Sequence, residues 1–177
     1  MTFRALGPVA LLGALCCAGC GDKTFDDEFA EQRVQAQPIK LDGEQVVLTD
    51  SQVDCGVQME LWQEPVPSGD RKIARLLPKG QELKFYDDVV VGDAALGSYG
   101  QVRGDFTVSL VPPLEIHDGP RGSKLVNGKV GATINHSCFG APLPVMGVRR
   151  GQFAPNAPVQ LRYEQDGNDW RFDRLVH

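Results

Sequence analysis

Two groups of residues carry side chains that could do chemistry, and both are built on cysteine. Near the amino end, Cys20 directly follows the small residues Ala18 and Gly19, with Cys16 and Cys17 just before them. A thiolate in that place can take up a lipid group where a serine hydroxyl would be far poorer. Near the carboxyl end, His136 and Cys138 stand two apart, and His117 lies further back. If the strand runs straight, residues two apart share a face. His136 or His117 could then serve as base to a Cys138 nucleophile. The same residues could instead hold copper or zinc, with His177 and scattered carboxylates as the remaining ligand candidates.

A third set is carboxylic. Asp87, Asp88, Asp93 and Asp105 surround a Val-rich stretch, and paired acids at the right separation can run glycoside hydrolysis. An Asp-Asp pair beside a turn is far more often a solvated strand end. The glycines from Gly92 to Gly104 lack the strand, Gly-x-x-x-x-Gly-Lys-Ser/Thr and helix arrangement that cradles phosphate, so no cofactor is expected. Acidic residues outnumber basic ones 23 to 18, with no basic stripe, which argues against nucleic acid as a partner.

The elements that would position these groups begin with an address. A cationic start at Arg4, an apolar run from Ala5 to Leu15 and small residues at Ala18 and Gly19 make a signal-peptide layout. The run is interrupted by Gly7, Pro8 and Gly13 and is shorter than the roughly 20 residues a membrane-spanning helix needs.

The stretch Cys17-Ala18-Gly19-Cys20 resembles the lipobox of bacterial lipoproteins, with Cys17 in the slot usually held by Leu. The resemblance implies cleavage before Cys20, a diacylglyceryl thioether on its sulfur, and an acyl group of the palmitate kind on the new amino terminus. Several acyl chains hold far more firmly than one, since each buried methylene contributes about 0.8 kcal/mol. Gly21, rather than Asp, follows the cysteine, which the resemblance associates with the outer membrane over the inner.

On that reading Cys16 and Cys17 leave with the signal and Cys20 is modified, so Cys55 and Cys138 remain. In an oxidising envelope they would form one disulfide. It would close a loop of roughly 84 residues and stabilise the fold by about 4 to 5 kcal/mol in the chain-entropy model.

Residues 20–44 read as an acidic tether, with a short amphipathic helix over Phe25 to Gln35 started by a capping-box-like Thr24 and Asp27 and ended by Pro38. From Gln45 the pattern becomes short apolar runs broken by Gly, Pro, Asp and Asn, which is β punctuation. Expected strands are 45–49, 57–63, 72–77, 82–91, 101–110, 124–126, 129–135, 145–149, 159–164 and 170–176. The last two form a hairpin: Val159, Leu161 and Tyr163 alternate with polar residues, a polar turn follows, and Trp170 and Phe172 alternate again.

The stretch Leu61-Trp62-Gln63-Glu64-Pro65, then Lys72 to Leu77, then Pro78-Lys79-Gly80-Gln81-Glu82-Leu83-Lys84-Phe85 resembles the first half of a bacterial SH3 domain, which would imply binding to peptidoglycan or a peptide. The sequence thus predicts an all-β, mainly antiparallel barrel or sandwich with one short N-terminal helix. Its expected plan is a signal peptide over 1–19, a tether over 20–44 and a single β domain over 45–177. The expected role is a lipid-anchored envelope component that binds peptidoglycan or another envelope protein without catalysis. The alternative is an envelope hydrolase or metal protein using Cys138, His136 and His117.

Overall fold

The computed structural model describes residues 24–176. Cys16, Cys17, Cys20, His177 and the whole signal segment lie outside the described residues. The elements run α1 (Asp27–Gln35), β1 (Ile39–Leu48), α2 (Asp50–Gln58), β2 (Val66–Ser68), β3 (Arg71–Ala74), α3 (Pro78–Glu82), β4 (Val89–Asp93), β5 (Gly97–Asp118), β6 (Lys124–Thr133), β7 (Leu143–Pro144), β8 (Gly147–Arg149), β9 (Gln152–Ala154), β10 (Val159–Asp166) and β11 (Asp169–Val176). Every strand pairing is antiparallel, so the expected all-β architecture holds. The sheet order β11-β10-β6-β5-β4-β3-β2 ends at β11 and β2, and among the described residues it does not close into a barrel.

β5 is the spine. Its first half pairs with β1 on one side and β4 on the other; from Thr107 onward it pairs with β6. Val102, Phe106, Val108 and Leu110 face the core, while Arg103, Asp105 and Thr107 between them are exposed, as the two-residue period of a half-buried strand requires. One continuous strand therefore carries two sheet halves, and the buried residues of both halves form a single large core. A smaller cluster of Val90, Tyr99 and Met146 sits apart from it, with Phe153 of β9 packed against it.

The domain starts well before residue 45. The segment expected to be a solvated tether contributes α1 and the first half of β1. Asp26, not Thr24, caps α1 by accepting the Phe29 N–H at 2.9 Å. Phe29, Ala30 and Val34 are buried, and the Tyr163 hydroxyl donates to the Ala30 carbonyl at 3.0 Å. In β1 the inward residues are Ile39 and Leu41, then Glu44, Val46 and Leu48. The change of phase falls at a bulge between Asp42 and Glu44, where Gly43 takes a φ of 87°. An extra residue flips the faces of everything after it, which hid this strand from a simple alternation test.

Three further expectations are corrected. The strand expected over 57–63 is instead the end of α2 and the chain leaving it. Thr49 and Gln52 form a reciprocal capping box at the start of that helix, which satisfies two otherwise orphaned N–H groups. Of the strand expected over 82–91, Glu82 ends a short helix from Pro78, Phe85 makes only an isolated bridge to Val102, and the continuous strand begins at Val89. The Asn127-Gly128 pair, expected to separate two strands, lies inside β6. A Cβ at Gly128 would stand 2.6 Å from the Leu114 side chain, so the glycine serves close packing and not a turn. The terminal hairpin is as expected: β10 and β11 pair, with Gly167 and Asn168 in the turn between Asp166 and Asp169.

Candidate functional site

Cys55 of α2 and Cys138, in the loop after β6, are joined as a disulfide. Cys138 is buried, and its sulfur is in the bond. β6 ends at Thr133, and His136 lies in a tight turn in which the Phe139 N–H donates to the His136 carbonyl at 2.9 Å. The imidazole Nδ1 accepts the Cys138 backbone N–H at 3.2 Å, so it braces the loop. His117 is far away. It pairs with Leu125, whereas Thr107 pairs with Thr133 near the loop, and ten residues of strand span roughly 30 Å. Neither the catalytic nor the metal constellation is assembled, and among the described residues no group of three His, Cys, Asp or Glu side chains is placed to hold a metal ion.

Three of the four carboxylates are tied to local structure. Asp88 accepts the Leu76 N–H at 2.9 Å, and Asp87 accepts the N–H of Asp88 at 2.8 Å. Asp93 accepts the N–H groups of Leu96 and Ala95, both at 2.9 Å, in the connection from β4 to β5. Those two donors, with a smaller contribution from Arg71, hold its carboxyl below the usual carboxylate range. Asp93 pairs with Gly97, and Asp105 lies eight residues further along β5, about 26 Å of strand. That is well beyond the separation of about 5 to 10 Å that glycoside hydrolysis uses.

The site the structure does build is a cleft where β5 breaks its pairing with β6. Val111 pairs with Lys129 and Glu115 with Asn127, so four steps on one strand oppose two on the other. Pro112 and Pro113, joined by a cis peptide, cannot donate to a ladder, and the chain loops outward there. The Leu114 N–H freed by the bulge donates to Asp27 of α1 at 3.2 Å. Val111, Pro112 and Pro113 are left exposed on a strand whose neighbouring residues Val108 and Leu110 are buried.

Together with Pro158 these side chains give an apolar floor to an open cleft of about 330 Å³, with Glu115, Asn127, Lys129 and Asn156 also lining it. A second depression, of about 240 Å³, adjoins it and shares Asn127 and Pro158. The Asn127 Oδ1 accepts from the Gln160 amide at 2.9 Å, which fixes the residue between the two hollows. None of these positions is among the residues expected from the sequence to form a site. The available signal was Pro112-Pro113 embedded in a strand pattern, since proline inside a sheet marks an edge or a bulge.

No family model, curated protein or solved structure matches this chain. Among the described residues no helix is long and apolar enough to cross a membrane.

Proposed function

We propose that this chain is a bacterial envelope lipoprotein, anchored by a diacylglyceryl group on Cys20, that acts as a non-enzymatic binding component at the outer membrane. The anchor reading is supported by Cys17-Ala18-Gly19-Cys20 after an apolar run, and the outer membrane by Gly21. The binding reading is carried by the cleft beside Pro112 and Pro113. An apolar floor with a few polar groups at its rim is the usual form of a recognition site. The open shape and the adjoining second hollow suit an extended segment of another envelope protein better than a small molecule enclosed on all sides.

Photo-crosslinking tests this reading. A photoreactive residue in place of Val111, 51% exposed, should capture one defined envelope protein in living cells. The same residue in place of Met59, 44% exposed and outside the cleft, should not. Capture of peptidoglycan alone, or equal capture at both positions, would overturn the assignment of the cleft. Intact mass of the membrane-extracted protein tests the anchor: a mass lacking acyl groups on Cys20 refutes it.

A further inference from the structure

We propose that the end of the domain where the chain enters the fold stands directly against a phospholipid surface. That end comprises Phe25, the connection from Asp118 to Lys124, and the turn from Asp166 to Asp169. The inference rests on Cys20 as the lipid anchor and adds which face of the protein meets the membrane.

The argument is one of chain length. Read as a tether, residues 20–44 could hold the domain up to roughly 80 Å from the bilayer. The structure removes nearly all of that slack. Phe25 is fixed in an aromatic cluster, with ring centroids 5.1 Å from Tyr163 and 5.2 Å from Trp170. Immediately after it, α1 is tied to the domain by Asp27 to Leu114 and by Ala30 to Tyr163.

Only five steps of chain separate Cys20 from Phe25, which limits their separation to about 18 Å when fully extended. As a flexible coil the same stretch averages about 12 Å. The headgroup layer occupies roughly 5 to 8 Å of each leaflet, so the anchored domain is left with little clearance.

Strand register says which face is held there. Tyr163 pairs with Lys124 and Lys124 with Asp118, while Trp170 lies two residues beyond on β11, opposite Gln165. All of these lie at the end where Phe25 packs. Trp62 lies far from them: it meets Phe85 edge to face, and Phe85 bridges to Val102, sixteen residues back along β5 from Asp118. That is a strand path of roughly 50 Å.

Charge does not supply the attraction. Lys124, the cation beside Trp170, is already paired with Asp118 at 2.5 Å. The contact is therefore imposed by the anchor and suits zwitterionic headgroups.

The two tryptophans make the test direct. The acylated full-length product, verified by intact mass, is reconstituted in phosphatidylcholine vesicles carrying a nitroxide on the headgroup, and tryptophan emission is compared with unlabelled vesicles. Quenching should come from Trp170, so Trp170→Phe should abolish most of it while the emission of Trp62 persists. A second variant inserts twenty Gly and Ser residues between Lys23 and Thr24, outside every packed element. Its longer tether, with a mean reach of about 28 Å, should reduce Trp170 quenching at least about twofold.

Quenching unchanged by Trp170→Phe, or unchanged by the insertion, in protein shown to be acylated and vesicle-bound would overturn the orientation while leaving the anchor intact. A mass without lipid on Cys20 would overturn both.

Discussion

Gly56 of α2 offers a test in which the structure reverses the sign that the sequence suggests. A glycine inside a helix normally costs about 1 kcal/mol relative to alanine, so Gly56→Ala read from sequence should stabilise α2. In the structure a Cβ at Gly56 would stand only 2.0 Å from the indole ring of Trp62. That ring cannot step aside cheaply. It is buried, edge to face with Phe85 at 5.4 Å and near Phe139, and its N–H donates to the Val53 carbonyl at 2.9 Å. Overpacking of this kind costs about 1 to 3 kcal/mol, and losing the indole hydrogen bond adds about 1 kcal/mol. After the helix gain is subtracted, Gly56→Ala should destabilise by about 1 to 3 kcal/mol. For a domain of this size that lowers the melting temperature by about 2 to 4 °C per kcal/mol. Urea unfolding followed by circular dichroism and tryptophan emission measures it. Gly140→Ala serves as control, since nothing lies within 4 Å of a Cβ there, and it should change stability by less than about 0.5 kcal/mol. A Gly56→Ala protein as stable as its parent, or more so, would refute the packing of Trp62 on α2.

Four other outcomes follow from the same contacts. The double substitution Cys55→Ser with Cys138→Ser should lower unfolding free energy by about 4 to 5 kcal/mol, the chain-entropy value for this loop, read from urea curves under oxidising conditions. Val34→Ala should cost about 2 kcal/mol because α1 is part of the core; a loss under about 0.5 kcal/mol would restore the solvated-spacer reading. The burial of Tyr163, with a smaller push from Glu31, raises its hydroxyl pKa well above the ordinary 10.0. The protonated phenol is thus favoured in the fold, and stability should be intact below pH 10 and fall above it. The slope approaches about 1.4 kcal/mol per pH unit as only the unfolded chain ionises, and absorbance at 295 nm should show this tyrosine titrating only as the protein unfolds. Removing residues 159–177 strips β10 and β11 from β6 and exposes Val126 and Phe25, which pack against them, so the truncated chain should show no cooperative thermal transition.

The fold class was legible because alternation survives wherever a strand is regular. β10 alternates cleanly, β11 alternates from Trp170 to Phe172 before a bulge at Asp173, and the stretch from Val102 to Leu110 alternates around Gly104. Elements were misread where a local rule was outweighed by packing. Gly43 flips the phase of β1, so its first half looks like spacer. Gly128 looks like a turn but answers to Leu114. α2 is only nine residues long, too short to announce itself by period, although Thr49 and Gln52 carried its start signal. The cleft was visible only as two prolines in a strand; that they open a hollow beside the outward-facing Val111 and against Pro158 depends on register across β5, β6 and β10.

Taken alone, the sequence determined the mainly antiparallel β class and the cysteines available to bond, and it is the source of the lipid address proposed at Cys20. These are properties of residue type and short-range period, which the chain carries before it folds. The bond between Cys55 and Cys138 was expected from the cysteines left after processing, and the structure bears it out. Only the tertiary structure decided that His117 lies roughly 30 Å of strand from the Cys138 loop, and that α1 belongs to the core. The reason is physical: both depend on sheet register and on contacts between residues far apart in the chain, such as Ala30 with Tyr163. Local pattern contains no information about such distances until the sheet has set its register.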